Sequence, residues 1–402
     1  MENVTKQNSS RAHIIEIIMF LSYAFFAVNW IAGTTLTPQI MDHFDLKSFS
    51  SATFISNAIT IAKIIGNLMA AKLLIKLYPK KAVTLAAFLI VGGSFLGVFA
   101  PSYLIFVIAR FIMGFGGALF VVYFGPIVMN YYSADKRAMV NGINAAAYNV
   151  GSILAMIIVA PVINWLVTWQ KSMMFFAMCS LILLVAWLIF GEDFEINKPT
   201  ATATATTTEN EYTLSQALKE KFTYVFPFTY AGLLTLYIVV LTIFPISDGA
   251  PVDPKFLSAT VAIAGVVGAA VGIGVAKKFE KRLPVIRWSG LLMSLSGLAM
   301  VLTSSTTIAL VAAAFLGFFM FVPMTALVTI PQEMPGMTPS KLTLIMGIFW
   351  SFSYIFETFF YFIIGMIIDN AGFKAGLLLA VGLSFSFFIG SFLLPETGKN
   401  NK

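Results

Sequence analysis

Residues 191–221, GEDFEINKPTATATATTTENEYTLSQALKEK, form the one long polar passage in this chain. On either side, from Ile14 up to it and from it to Leu394, the sequence is dominated by apolar runs. About six runs on each side are long enough to cross a bilayer. A polar seam that divides a membrane chain into equal halves predicts two helical bundles joined by a cytoplasmic tether.

Composition agrees with a lipid environment. The 402 residues are 59% hydrophobic and 11% charged, with a mean hydropathy of +0.89. A soluble domain carries roughly 25% charged residues, so an ordinary globular protein is excluded. Cys179 is the single cysteine, which rules out an intrachain disulfide. His13 and His43 are the only histidines. The first apolar run exceeds a signal-peptide core and lacks a clear small-residue cleavage site, so no cleavable signal is expected.

The expected fold is an all-α membrane protein of about 12 transmembrane helices in two six-helix bundles. The spans fall near 14–36, 51–75, 82–100, 103–129, 138–163 and 170–190, then 224–244, 256–276, 285–303, 306–330, 342–368 and 375–394. Residues 1–190 form the first bundle, 191–223 the linker and 224–402 the second bundle. Basic residues set the orientation. Alternate connections hold Lys72, Lys76, Lys80, Lys81, Lys136, Arg137, Lys277, Lys278, Lys281, Arg282 and Lys341, together with the basic residues of both termini and the linker. The opposite loops hold only Lys47, Lys171, Lys255 and Lys374. Both termini are therefore expected in the cytoplasm, with the chain in the cell's inner (plasma) membrane. This bias also explains the net charge of +7 without nucleic acid. Within the linker, the Ala/Thr run 201–208 is expected to be flexible. Thr213 to Gln216 has capping-box spacing and predicts a short interfacial helix over 214–222.

The two halves echo each other. Gly66 precedes Lys72, Lys76, Lys80 and Lys81 after the second span; Gly272 precedes Lys277, Lys278, Lys281 and Arg282 after the eighth. Pro126 and Gly142 have the same spacing as Pro331 and Gly347. A parallel repeat of six-helix halves, with a substrate site near mid-membrane, is a recognised transporter architecture.

Three motifs resemble those of the major facilitator superfamily. Gly66-Asn67-Leu68-Met69-Ala70 with the following lysines is similar to the loop motif between spans two and three, although Ala70 stands where that motif has an acid. Arg110-Phe111-Ile112-Met113-Gly114-Phe115-Gly116-Gly117-Ala118 resembles the fourth-span motif. Leu394-Pro395-Glu396-Thr397 is similar to a common ending in the superfamily. With Gly398 it also spells a sortase signal, but no apolar segment follows it. Asn29-Trp30 and the general layout resemble cyanate-permease-like anion carriers. The resemblance implies that spans two and eleven face each other and that spans one, four, seven and ten are innermost.

The chemistry lies in charges inside lipid-length runs, where a charge at the bilayer centre costs at least about 2.5–3.5 kcal/mol. Lys63 is near mid-span, Arg110 about 10 Å from its outer end at 1.5 Å per residue, and Glu357 near the middle of the eleventh span. Glu16 can reach the inner interface and reads as structural. In one reading Lys63 and Arg110 face an anionic substrate, Arg110 through its planar fork of donors, and Glu357 carries a coupling proton. In the other, Lys63 and Glu357 neutralise each other across the junction of the halves. Asn29, Trp30, Tyr123, Asn144, Tyr148, Asn149, Tyr230, Tyr237, Trp350, Ser353 and Tyr354 are expected along a central cavity, with Asn29, Tyr148 and Tyr354 the chief polar candidates. Spans three, six, nine and twelve read as lipid-facing and nearly bare of polar groups. The small-residue runs near Gly114 and Gly265 are expected to act as close, sliding helix contacts. Gly66, Lys72, Lys80, Lys81, Lys277 and Lys278 are candidate gating-loop residues.

Other classes find little support. There is no phosphate-binding Gly-rich loop with Lys-Ser/Thr and no metal-ligand spacing, so no cofactor, metal or enzymatic activity is expected. Gly151 and Pro161 are too far apart for the fifth-span motif of drug–proton antiporters. The expectation is a monomeric secondary transporter working by alternating access, taking up a small organic or inorganic anion with protons. Proton-driven efflux of amphiphilic compounds is the second reading, and a non-transporting receptor or scaffold the third.

Overall fold

The structure is a computed structural model that describes residues 9–132, 134–194, 214–337 and 339–397. The Ala/Thr run 201–208 and the capping residue Thr213 lie outside the described residues. Every described regular element is helical, as a backbone immersed in hydrocarbon requires. In chain order these are α1 (Ser9–Thr35), α2 (Thr37–His43), α3 (Phe49–Ala52), α4 (Phe54–Val98), α5 (Tyr103–Tyr131), α6 (Ala134–Leu166) and α7 (Trp169–Phe190). After the linker come α8 (Leu214–Ala217), α9 (Phe222–Thr242), α10 (Pro254–Lys278), α11 (Leu283–Leu302), α12 (Thr306–Phe321), α13 (Met324–Glu333) and α14 (Pro339–Gly390). Among the described residues, eleven stretches are long and apolar enough to cross a membrane, and the last is 47 residues long. At 1.5 Å per residue that is about twice the hydrocarbon thickness. It folds back at Gly372, where φ is 81°, which gives twelve crossings.

Three local expectations change. The second span continues helically to Leu77, and the connection to the third is only Tyr78 (φ 62°) followed by Pro79. The basic run therefore rides on helix rather than on a loop. The tenth span is broken between α12 and α13, where Pro323 removes a backbone donor. The linker helix is one turn, α8, instead of reaching Phe222. It is tied down by Thr223 donating to the Ala217 carbonyl (2.6 Å) and Glu220 pairing with Lys341 (3.0 Å).

Two compact units are formed, one from Met1–Gly33 with Ala58–Glu211, the other from Thr34–Asn57 with Tyr212–Lys402. Thr34–Asn57 lies between the first two spans in sequence, yet it packs in the second unit. Asp369 is the reason at one end. Its carboxylate accepts the amide N–H of Phe49 and that of Ser50 (2.9 Å), capping α3 from the bend of α14. Asn57 donates to the Thr358 carbonyl at 3.3 Å at the other end.

Small residues set the interhelical distances. In α5, a Cβ on Gly114 would lie 2.6 Å from the Ile59 backbone and one on Gly116 2.5 Å from the Ala86 carbonyl. One on Gly117 would fall inside the Phe26 ring contact at 2.3 Å. Three glycines thus admit three different neighbours. In the second unit, Gly268 against Phe318 and Gly317 against Val261 do the same reciprocally.

Burial separates the spans only in part. The first and seventh are the most enclosed, 72% and 94%, as the resemblance implied. The fourth is no more enclosed than the third, both at 56%. The outer spans are also not bare of polar groups. Ser180 of α7 receives Asn29, and Ser294 of α11 bonds Ser384 of α14 at 2.8 Å. Short hydroxyls that satisfy one another across helices are tolerated in an apolar run.

Both units fasten one end by the same device. In the first, Asp193, just past α7, accepts the backbone N–H of Lys80 at the start of the third span (2.9 Å), while Trp187 donates to the Lys80 carbonyl (3.2 Å). In the second, Glu396, just past α14, accepts the N–H of Arg282 (2.7 Å) and of Leu283 (3.2 Å) at the start of α11. Arg282 also forms a two-pronged pair with Glu333 (2.6 and 3.1 Å) that Thr397 joins. The separation of Asp193 from Glu396 nearly equals that of Pro126 from Pro331, so the sequence echo is also a structural one. A carboxylate on a helix N-terminus meets unbonded N–H groups and the positive end of the dipole. Glu396→Gln and Asp193→Asn should each lower the apparent melting temperature of the detergent-purified protein. The losses correspond to about 1 kcal/mol, and the Glu396 change should be the larger because it caps two residues. Unchanged melting in both variants would refute the capping role.

Candidate functional site

The first unit assembles its charged centre from α1, α4, α5 and α6. Lys63 sits nine residues into α4 and is 6% exposed. Its Nζ lies 4.5 Å from the Trp30 ring centre, 5.4 Å from Tyr148 and 5.8 Å from Phe26. Each ring face within about 6 Å attracts an ammonium by about 0.5–2 kcal/mol. Three such faces together match the cost of holding a lysine at this depth. The rings brace one another: Trp30 meets Tyr148 edge-on at 5.5 Å and Phe26 at 5.9 Å, and Tyr23 contacts both Phe26 and Tyr148. The sequence pointed to Lys63, Trp30 and Tyr148 separately. Phe26 was missed; its spacing of four residues from Trp30 on α1 was the available signal.

Arg110 is 2% exposed. The guanidinium expected to face an anion instead donates to the carbonyls of Asn29 (2.9 Å) and Trp30 (2.8 Å) on α1. Room for it exists because residue 33 has no side chain: a Cβ there would stand 2.7–2.9 Å from the guanidinium atoms. Two consecutive carbonyls gripped by one planar fork fix both the height and the rotation of α1 against α5. They thereby hold Trp30 beside Lys63. Asn29, expected along the cavity, donates to Ser180 (3.0 Å) and to the Phe25 carbonyl (2.8 Å), so its amide group joins α1 to α7.

The second unit supplies an acid and a larger aromatic cluster. Glu357 lies on α14 and is fully buried, with Tyr354 one turn before it. One turn further on, the Tyr361 hydroxyl and the Thr242 hydroxyl share a 2.8 Å hydrogen bond that joins α14 to α9. Tyr230 of α9 contacts Phe349 (5.2 Å) and Trp350 (5.7 Å), and Phe226 stacks on Phe349 (4.3 Å). Lys63 and Glu357 therefore belong to different units.

The candidate gating residues divide. Gly66 lies inside α4 rather than in a loop, and a Cβ on it would stand 2.6 Å from Ala118 of α5. It is a helix-contact glycine. Lys72 and Lys81 are exposed on helical turns, and Lys80 is engaged through its backbone as described above. Lys278 ends α10 and is exposed, while the Lys277 side chain lies outside the described residues. Among the described residues, no cluster of His, Cys, Asp and Glu could hold a metal.

Comparison with known proteins supplies the identity. The sequence pattern of the Major Facilitator Superfamily matches residues 18–355. The chain is 30% identical over 231 residues to the uncharacterized protein Cj0987c of Campylobacter jejuni, covering 58% of this chain and 69% of that one. It is 22% identical over 257 residues to the uncharacterized protein mhp246 of Mesomycoplasma hyopneumoniae, covering 60% of this chain and 51% of that one. In structure it resembles the inward-open xylose transporter XylE of E. coli, with a TM-score of 0.75 at 16% identity, over 97% of this chain and 98% of that one. It also resembles an inward-facing bacterial homolog of the human lysosomal transporter Spinster, with a TM-score of 0.71 at 12% identity, over 96% and 98% of the two chains. Identities this low carry the fold alone. The chain thus belongs to the Major Facilitator Superfamily, whose fold works as a secondary transporter by alternating access.

Proposed function

We propose that this transporter takes up a small organic or inorganic anion together with protons, as a monomer in the cell membrane. The observation that carries the reading is the Lys63 ammonium, buried at mid-span and framed by Trp30, Tyr148 and Phe26. A cation kept at this depth has a use for negative charge. Its aromatic frame would accept the apolar body of an organic anion. Glu357, fully buried on α14, is the group assigned to the coupling proton. Arg110 acts as a positioning residue through α1. Asn29 and Tyr354 border the same two helices as Lys63's frame and Glu357 respectively. A second reading, efflux of amphiphilic compounds, draws on the Phe226, Tyr230, Phe349 and Trp350 cluster.

Thermal stabilisation of the purified protein by a panel of carboxylates, inorganic anions and amphiphilic cations selects the probe for flux. The stabilising anion should accumulate in proteoliposomes with an inside-alkaline gradient. Lys63→Ala should abolish that accumulation, and Glu357→Gln should preserve exchange while removing the response to the gradient. Normal accumulation by Lys63→Ala, or stabilisation by amphiphilic cations alone, would reject the anion assignment. Separately, Gly33→Ala and Arg110→Lys should both destabilise the protein by about 1–3 kcal/mol, read as a lower apparent melting temperature. If neither variant melts earlier, Arg110 does not anchor α1.

A further inference from the structure

The second unit has a cleft that the transport reading does not use. It opens at the far end of α11 from the Glu396 staple, between the loop after α9, the α11–α12 turn and the bend of α14. Its volume is about 290 Å³. That is the lower edge of the roughly 300–1,000 Å³ range of small-molecule sites, so the cleft suits a compact ligand. Phe244, Met300 and Leu377, each no more than 5% exposed, give it apolar surface. Gly249 turns the α9 loop with φ 79°, and Gly372 turns α14 with φ 81° two residues before Lys374. The loop is pinned where the Ser247 hydroxyl donates to the Phe244 carbonyl (2.7 Å) and the Thr306 hydroxyl donates to the Pro251 carbonyl (3.4 Å).

Asp248 and Lys374 both line this cleft, and both are exposed. Neither forms an ion pair with the other or with any other charge among the described residues. Other charges at this end are engaged. Asp253 caps α10 by accepting the Lys255 amide N–H (2.9 Å), Asp369 caps α3, and Lys47 pairs with Asp45. Thr303 accepts the Ser305 N–H at 3.0 Å, which leaves its own O–H to donate, and Ser304 beside it is exposed.

An acid and a base on one cleft that do not pair make a site neutral in sum and charged at two points. A ligand with a single charge satisfies one residue and meets the like charge of the other. A ligand with both charges makes two charge-assisted contacts. Lys374, Thr303 and Ser304 offer three donors to the oxygens of a phosphate, and Asp248 accepts from an ammonium. Leu302 ends α11 at the rim and is 50% exposed. The end of a membrane-spanning helix lies at the level of phospholipid head groups. We propose that this cleft binds a zwitterion in which a short methylene link joins a primary ammonium to a phosphate. That is the chemistry of ethanolamine phosphate, free in solution or as the head group of a phospholipid. The ammonium rests on Asp248, the phosphate on Lys374 and the link on the apolar surface between them.

The apparent melting temperature of the detergent-purified full chain reads the binding. Free O-phosphoethanolamine, or micelles doped with phosphatidylethanolamine, should raise it. A rise with the lipid alone places the source in the bilayer, and a rise with the free compound alone places it in solution; either supports the site. Ethanolamine, inorganic phosphate and phosphatidylcholine lack one charge or the ammonium N–H and should leave the melting unchanged. Asp248→Asn and Lys374→Gln, both at exposed positions, should each raise the concentration needed for half the shift by about tenfold or more. The shift should persist in Lys63→Ala, which separates this site from the anion assignment. No rise with either source, an equal rise with phosphate or the choline lipid, a shift that both variants leave intact, or its loss in Lys63→Ala would each overturn the proposal.

Discussion

A polar group inside hydrocarbon finds its partner in the protein or does not persist. That constraint organises the first unit. Arg110 grips two carbonyls of α1, Asn29 reaches across to Ser180 of α7, and Lys63 rests its charge on rings from α1 and α6. Four of the six membrane-crossing segments of that unit are bound to α1 or its rings by such contacts. Apolar packing alone would leave α1 free to slide and turn, since one lipid-like surface resembles another. The polar contacts fix its register, and the glycines of α5 let the backbones come close enough to make them.

The two units solve the problem of their ends in the same way. A helix that starts at the membrane surface presents several N–H groups without partners. Asp193 and Glu396 meet them from just beyond the last helix of each unit, so the end of each bundle is stapled to its middle. The second unit adds Arg282, Glu333 and Thr397 to that staple. The Pro-Glu-Thr ending is thus a structural fastening and gives the superfamily-like terminus a physical role in this chain.

The chemistry is asymmetric. The first unit holds the cation and its aromatic frame, while the second holds the fully buried acid and the broader aromatic cluster. A transporter that alternates between two states needs groups whose environment differs between them. A buried lysine and a buried acid are sensitive in that way, because a small change in solvation changes the stability of their charge. The fold shared with sugar and lysosomal-type transporters fixes none of this, since the substrate is read by the side chains and not by the helices that carry them.

Much was legible from the chain alone. Twelve lipid-length runs around one polar seam determined an all-helical membrane protein, because hydrocarbon leaves the backbone few alternatives. Burial cost singled out Lys63, Arg110 and Glu357 before any coordinate was known. What one dimension withheld was the partner of each group. That Arg110 would turn to the α1 backbone depends on the missing side chain at residue 33, far away in sequence. That Asp369 would cap α3, drawing Thr34–Asn57 into the second unit, depends on a bend at the far end of the chain. Periodicity and hydropathy report which side chains must be satisfied. Only the tertiary structure decides by what, because hydrogen bonds and ring contacts act over a few ångströms between residues that the sequence sets tens to hundreds of positions apart.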